Sequence, residues 1–199
     1  CLAPHAPFTV SDETFAQVAI YAGELDIPVH IHIHETAQEV ADSLAQHGLR
    51  PLARIEKAGL LGPGLIAVHG VHLDDAEIAL FARHGCSVAH CPSSNLKLAS
   101  GIAPVGKLLQ AGVNVGLGTD GAASNNRLDL FTEMRLAALL AKGSSGDATA
   151  MPAQRALVAR LDAQLAQTLD TAPGGTSLPM EVFRISGALS LLSESLRDP

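Results

Sequence analysis

The chain has few aromatic side chains and few cysteines. Its 199 residues include no tryptophan, one tyrosine and five phenylalanines. A core must therefore be built mainly from aliphatic and small side chains, which suits helices packed on a sheet. The three cysteines, Cys1, Cys86 and Cys91, form no C-x-x-C pair and no disulfide framework. This pattern favours a reducing compartment and predicts a cytoplasmic location.

Excess positive charge and long apolar runs are also missing. The formal net charge is −7, which gives a nucleic-acid partner little support. No apolar run reaches the about 18 residues of a transmembrane helix, and no basic-then-apolar leader opens the chain. We therefore expect neither a membrane nor a nucleic acid as partner. Because the chain starts at Cys1, at what reads as the end of a strand, we expect a piece of a longer protein.

The most distinctive segment is a predicted strand over residues 28–34. Successive side chains of a strand point to opposite faces, so its three histidines would share one face. Buried imidazoles need hydrogen-bond partners, so this strand favours a polar site in which at least one ring binds a metal or a substrate. A half-exposed strand with satisfied histidines is equally compatible with this segment alone. Glu35 follows, and a metal ligand beside a proton-transferring carboxylate is what hydrolysis of a C–N bond by a metal-activated water requires.

Strands and helices alternate along the chain, with a repeat of roughly 25–40 residues, which predicts a parallel sheet with helical crossovers. Further strands are predicted over 65–70, 86–90 and 113–119, and residues 1–7 read as a strand end. A Ser/Asn-rich loop is predicted over 92–101. Helices are predicted over 11–25, 36–46, 51–58, 75–84, 104–111 and 129–142.

Polar residues cluster where the predicted strands end, as they do in active sites of β/α barrels. A doubly wound sheet is the alternative, but the Gly-rich phosphate turn expected after its first strand is absent. About five strands can be counted, whereas a closed barrel has eight. We therefore predict an α/β fold that is the later portion, about strands 4–8, of a TIM-type β/α barrel.

Three of these strand-end residues offer ligands for a metal. His69 ends a buried apolar strand, where a structural role is the commoner one. Asp120 lies between Gly118 and Gly121, which indicates backbone crowding, although a turn cap would also explain an aspartate there. Taken together, His32, His69 and Asp120 supply nitrogen and oxygen ligands suited to Zn²⁺ or a similar metal.

Four ordered motifs resemble those of the amidohydrolase superfamily, within the branch of 5′-methylthioadenosine/S-adenosylhomocysteine deaminases and triazine chlorohydrolases. The resemblance covers residues 1 to about 157. The motifs are HIHET from His32, VHGVHL from Val68, SNLKLASGIAP from Ser94 and GTDGAASNN from Gly118.

The resemblance implies a role for each of five residues. His32 and Asp120 would be metal ligands, and Asp120 would also take a proton from the water. Glu35 would shuttle protons, and His69 would assist the water and the tetrahedral intermediate. His5 would contact the substrate, as would Glu35 and Asp120. The implied metal is one zinc ion, with iron or manganese also compatible.

The resemblance also places the histidine-rich strand and identifies what is missing. His30-Ile31-His32 imitates the superfamily's first-strand H-x-H pair, but the downstream order places it on the fifth strand. The true first-strand pair is absent. Residues 1–157 are therefore expected to be a partial catalytic barrel domain, and residues 158–199 a divergent tail without an assigned role.

The implied function is that of a hydrolase of carbon–nitrogen bonds, a deaminase of methylthioadenosine, S-adenosylhomocysteine or adenosine. Its partner would be a small nucleoside-like molecule, and a homo-oligomer is allowed. The alternatives are a triazine chlorohydrolase, a guanine-type deaminase, or an inactive truncated remnant. The isolated piece is expected to be inactive.

Overall fold

Four parallel strands form the sheet in the computed structural model, which describes residues 1–152, 155 and 156. The strands lie side by side in chain order, and each pairs in parallel with the next. The first two pair over five positions, from Val29 opposite Leu65 to Ile33 opposite His69. The strands are β1 (Val29–Ile33), β2 (Leu65–His69), β3 (Ser87–His90) and β4 (Asn114–Leu117).

The start of the chain lies along the outer edge of β1. Leu2 forms an isolated parallel bridge with Val29, and the Leu2 carbonyl accepts a hydrogen bond of 2.9 Å from the His30 amide. The His5 carbonyl accepts another, of 3.1 Å, from the His32 amide. The predicted strand end is thus present as a bridge, and the described residues form four strands rather than the expected five.

The strand order distinguishes a barrel from a doubly wound sheet. A parallel crossover is almost always right-handed, so four strands in sequential order place every intervening helix on the same face. A doubly wound sheet reverses its strand order and carries helices on both faces. The described order has no reversal. The fold is therefore a segment of a β/α barrel, as predicted.

In the described part of the chain one helix precedes these strands, and six connect or follow them. Ser11, Thr36 and Asp74 cap three of them with side-chain oxygens, as expected for residues of these types. Six helices occupy the predicted positions with small shifts at their ends. The helices are α1 (Asp12–Leu25), α2 (Ala37–His47), α3 (Pro51–Lys57), α4 (Asp75–His84), α5 (Pro92–Lys97), α6 (Val105–Gln110) and α7 (Leu130–Ser145).

The predicted loop over 92–101 is wrong in its first half, which forms α5. Pro92 occupies the first turn of this helix, where its fixed φ angle is already helical and its missing N–H costs nothing. The Ser/Asn composition had indicated a loop. The short helix instead buries Ser94 and Asn95, with 0% and 1% of their surface exposed.

The hydrophobic core lies between the sheet and the helices. Alternate β1 residues Val29, Ile31 and Ile33 join one buried cluster with side chains of the helices, such as Phe15 and Phe81. The opposite face of the sheet is mostly half-buried and carries small or polar residues beside Ile66 and the buried Val68. This inner face includes His30, His32, Ile66, Ala89 and Gly116.

No helix among the described residues is long and apolar enough to cross a membrane. All the described residues belong to one unit, which spans Cys1–Ala163. The predicted tail over 158–199 lies outside the described residues, so its boundary with the catalytic segment stays a prediction.

Candidate active site

The predicted site residues come from the carboxyl ends of the strands and lie at one end of the sheet. His32 is the second-to-last residue of β1, and His69 is the last residue of β2. Glu35 follows β1, and Asp120 follows β4. Parallel strands bring their carboxyl ends to the same edge, which is where β/α barrels build active sites.

Three imidazole rings form a row across this end of the sheet. The ring centroids of His5 and His32 are 5.0 Å apart, and those of His32 and His69 are 5.3 Å apart in a stacked arrangement. His5 is exposed, and its Nδ1 lies 2.8 Å from the Thr9 hydroxyl. The row therefore runs from solvent to the buried end of β2.

A backbone carbonyl sets the tautomer of His32. Its Nδ1 lies 2.7 Å from the His5 carbonyl oxygen. A carbonyl can only accept, so Nδ1 carries the proton and Nε2 keeps its lone pair. Ligating histidines commonly show this arrangement, in which the second nitrogen is held by a carbonyl or carboxylate.

His69 is oriented in the same way by a buried side chain. Its Nδ1 donates to the Asn95 Oδ1 at 2.8 Å, which leaves the Nε2 lone pair 3.6 Å from the Glu35 Oε2. Burial lowers the pKa of His69, although the negative charge of Glu35 opposes this shift. His69 is therefore biased toward the neutral imidazole, which can accept a proton at Nε2.

Asp120 is held as a carboxylate by three hydrogen bonds. Its Oδ2 accepts from the hydroxyls of Ser94 at 2.6 Å and Ser124 at 2.7 Å, and its Oδ1 accepts from the Gly121 amide at 2.8 Å. Partial burial acts to raise the pKa of Asp120, but these hydrogen bonds outweigh it, and the net pKa is lowered. The charged form is thus stabilised.

The backbone crowding predicted beside Asp120 occurs on one side only. A Cβ atom at Gly118 would lie 2.9 Å from the Cys91 sulfur, whereas a Cβ atom at Gly121 would meet nothing within 4 Å. Burial raises the pKa of Cys91 to about 12, so this thiol is protonated and acts as a packing group. Gly118 therefore lets β4 approach β3 closely where the site begins.

Three residues at the strand ends have left-handed backbone conformations, although none is glycine. The φ angles are +55° at His34, +73° at His69 and +60° at Asp120. Such angles are uncommon outside glycine, although His and Asp adopt them more readily than most residues, and they concentrate at functional sites, where surrounding contacts hold them. At each strand end the chain turns abruptly.

The turn at His34 corrects the predicted face of three histidines. His34 is fully buried, and its Nε2 accepts a hydrogen bond of 3.1 Å from the Leu52 amide. It therefore packs against the start of α3 instead of joining the inner face with His30 and His32. Burial lowers the pKa of His34 to about 4, so it acts as a neutral structural ring.

The donor set fits part of a site for a divalent metal. The Nε2 lone pair of His32 and the carboxylate of Asp120 are ligand types suited to zinc. Within the described residues no group of three His, Cys, Asp or Glu side chains is placed to hold a metal ion. His69 is turned toward Glu35 and Asn95, so the three-ligand shell that included it is not formed by the described side chains and stays a prediction.

Sequence reasoning assigned no roles to the residues that support these groups. Ser94, Asn95 and Ser124 lie within the motifs quoted above, but the motif letters do not say which side chains point inward. Ser100 is another, with its hydroxyl 3.5 Å from the Glu35 Oε1. Such partners are identified by a hydroxyl or amide that lies within hydrogen-bond distance of a site residue. Only the tertiary structure shows this proximity.

Two buried polar nitrogens near the site lack a hydrogen-bond partner among the described residues. His90 is 1% exposed, and among the described residues its Nδ1 has no hydrogen bond, as is also true of the Asn95 Nδ2. Burial, with a smaller contribution from His69, lowers the pKa of His90 to about 4. His90 is thus a neutral ring in the wall of the site.

Residues 1–159 match the model of the amidohydrolase family. A 5-methylthioadenosine/S-adenosylhomocysteine deaminase of Saccharophagus degradans is 51% identical over 172 residues, which are 86% of this chain and 39% of that protein. The crystal structure of an adenosine deaminase from Xanthomonas campestris with bound zinc is 58% identical, with a TM-score of 0.78 over 79% of this chain and 36% of that one.

A solved structure with lower sequence identity to this chain is that of a chlorohydrolase rather than a deaminase. The zinc complex of the atrazine chlorohydrolase TrzN from Arthrobacter aurescens is 30% identical, with a TM-score of 0.73 over 79% of this chain and 35% of that chain. The chain belongs to the amidohydrolase family. It spans well under half the length of each of these relatives.

Proposed function

We propose that residues 1–157 are the later part of the catalytic barrel of a metal-dependent deaminase of adenine nucleosides. The substrate class is methylthioadenosine, S-adenosylhomocysteine or adenosine, and the products are ammonia and the 6-oxo purine. The proposal is carried by the placement of His32, Glu35, His69 and Asp120 at one end of the sheet. The deaminases at 51% and 58% identity support the choice of substrate.

His32 and Asp120 would hold the divalent metal, together with ligands from outside this chain. When bound, the metal supplies a water whose pKa is lowered to about 7. Zinc is the metal in two of the similar structures, and iron or manganese would satisfy the same donors. The chain's own contribution is a histidine with its lone pair free and a carboxylate held in the charged form.

The remaining residues move and hold protons during the reaction. Asp120 accepts a proton as the water oxygen bonds to C6 of the purine. Glu35 delivers a proton to N1, and the proton that Asp120 took from the water passes to the amino group. The C6–N bond then breaks as ammonia leaves, and the remaining C6 hydroxyl proton returns to Glu35. His69 presents its Nε2 beside Glu35, at 3.6 Å, and assists the water and the tetrahedral carbon. His5, on the exposed side of the ring row, contacts the substrate.

The substrate class is tested by assaying a full-length enzyme that carries this segment on a panel of purines, pyrimidines and triazines. We expect ammonia release from methylthioadenosine, S-adenosylhomocysteine or adenosine, and none from cytosine. Release of chloride from a triazine without purine turnover would contradict the substrate class and leave the fold intact. Turnover of guanine alone would also contradict it.

Metal analysis of the same purified protein separates an enzyme from an inactive remnant. About one equivalent of tightly bound transition metal supports an assembled site. A full-length protein that binds none and turns over nothing would contradict the deaminase proposal altogether. A cytoplasmic location and a homo-oligomer stay predictions.

A further inference from the structure

We infer that Glu39 is a positioning residue for Glu35: its carboxylate holds the turn that carries Glu35 and so directs the Glu35 side chain toward His69. The inference rests on the proposed function, because Glu35 is its proton-transfer group. Glu39 lies on α2 and is 6% exposed.

The contacts of Glu39 are to the backbone of the turn. One carboxylate oxygen accepts from the His34 amide at 3.2 Å, and the other accepts from the Glu35 amide at 2.9 Å. Both amides lie just after the end of β1, where the strand's hydrogen-bond ladder stops. Unpaired N–H groups in such a place are costly, so a buried carboxylate that accepts from both stabilises the turn.

A second helix of the same chain shows that this use of the glutamate is distinct from ordinary capping. Thr36 and Glu39 have the spacing of a capping box, as do Asp74 and Glu77. In α4 the Glu77 carboxylate returns to the Asp74 amide, and the box is closed. In α2 the Glu39 carboxylate reaches past Thr36 to the two residues before it. The glutamate of this capping-box motif therefore binds the turn at His34 and Glu35 instead of the first residue of the box.

The conformation of the turn explains why it needs holding. His34 has a φ angle of +55°, which a histidine adopts only when its surroundings compensate. The turn then places the Glu35 Oε2 at 3.6 Å from the His69 Nε2 and the Oε1 at 3.5 Å from the Ser100 hydroxyl. A shift of about 1 Å at a proton-transfer group can reduce the rate by about 10². Loosening the turn should therefore affect catalysis more than binding.

The test is Glu39→Gln in the full-length enzyme, assayed on the substrate identified by the panel. The amide has the shape of the carboxylate but only one accepting oxygen, so one of the two backbone N–H groups loses its partner. We expect kcat to fall about tenfold or more, with KM and metal content unchanged. Amide hydrogen exchange at residues 34 and 35 should become faster.

Thr36→Ala is the matched control, because it weakens the same helix start without touching either amide. The Thr36 hydroxyl accepts from the Glu39 amide at 3.1 Å, and its loss removes the helix cap. We expect a lower Tm, with kcat and the exchange of residues 34 and 35 close to those of the unmodified enzyme. Glu39→Asp keeps both oxygens on a shorter arm and should give an intermediate kcat.

Several results would overturn the inference. They are an unchanged kcat in Glu39→Gln, an equal loss of kcat in Thr36→Ala, and loss of metal in Glu39→Gln. Failure of both Glu39 variants to fold while Thr36→Ala folds would assign Glu39 to the fold alone. The exchange measurement needs no substrate, so faster exchange without any deaminase activity would reject the proposed function and keep the structural role.

Discussion

Glu35→Gln in a full-length enzyme is expected to lower kcat by about 10² or more while the bound metal is retained, as removal of a general acid–base group does. The amide preserves the size of the side chain and its approach to Ser100. It can neither deliver nor accept the proton that deamination requires. Because Glu35 is placed beside His69 and not among the proposed metal donors, we expect the metal content to stay near its original value.

Asp120→Asn should fail in a different way, by losing metal and rate together. The Asp120 carboxylate is both a proposed ligand and the proposed acceptor of the water proton. Its Oδ1 and Oδ2 are occupied by donors from Ser94, Ser124 and Gly121. An amide NH₂ at the Oδ1 position would leave the Gly121 amide without an acceptor, which adds a loss of local stability. At the Oδ2 position the two serine hydroxyls could turn to accept from the NH₂ group.

The two variants are compared by metal analysis and steady-state kinetics on the same preparations. Asp42→Asn is a suitable control, since Asp42 is an exposed carboxylate on α2 whose described contact is to Gln38. It should leave both measurements unchanged. A metal-free Glu35→Gln protein would show that the separation of roles is wrong, and a fully active Asp120→Asn protein would remove Asp120 from the chemistry.

The 199-residue chain expressed alone is expected to show no deaminase activity and to self-associate. Its described residues supply two of the proposed metal donors and no group of three. Within those residues β4 has no strand on its outer side, and β1 is covered there only by the bridge from Leu2. Open edges of this kind pair readily with other chains.

The structure also shows where the isolated chain is self-sufficient. Val29, Ile31, Ile33, Val68, Val113 and Val115 are all at least nine-tenths buried without any other strand. Of the seven strand side chains expected to lose partners with the missing half of a barrel, these six are therefore buried without it, whereas Ile66 is only partly buried. The apolar surface that stays accessible to water lies on the half-buried inner face and on exposed residues such as Leu98 and Ile102. Each such side chain forgoes up to roughly 1.5–3 kcal/mol of burial, against a typical domain stability of about 5–15 kcal/mol.

Sedimentation, thermal unfolding and an activity assay on the isolated chain check this prediction. We expect oligomers and no turnover, and recovery of activity only when the preceding part of the barrel is supplied on the same or a second chain. A monomer with a sharp cooperative transition and measurable turnover would contradict both the fold placement and the assignment of the absent ligands.

Local patterns were sufficient to predict most elements of this fold. Asp74 and Gly85 mark the two ends of α4 where the structure has them, because capping depends on residues within one turn. Alternating β-branched residues placed β1 correctly, since the side-chain period of a strand is a local property. Strand ends carry site residues in this family of folds, so His32, Glu35, His69 and Asp120 could be selected as candidates before their positions were known.

The tertiary structure alone determined how those candidates are held. His34 follows the alternation of β1, yet a left-handed turn removes it from the face and buries it against α3. Thr36 and Glu39 have the letters of a capping box, but the Glu39 carboxylate binds the turn before it. Ser94, 26 residues before Asp120 along the chain, reaches its carboxylate from α5. These contacts depend on backbone angles and on residues distant along the chain, which local sequence patterns do not encode.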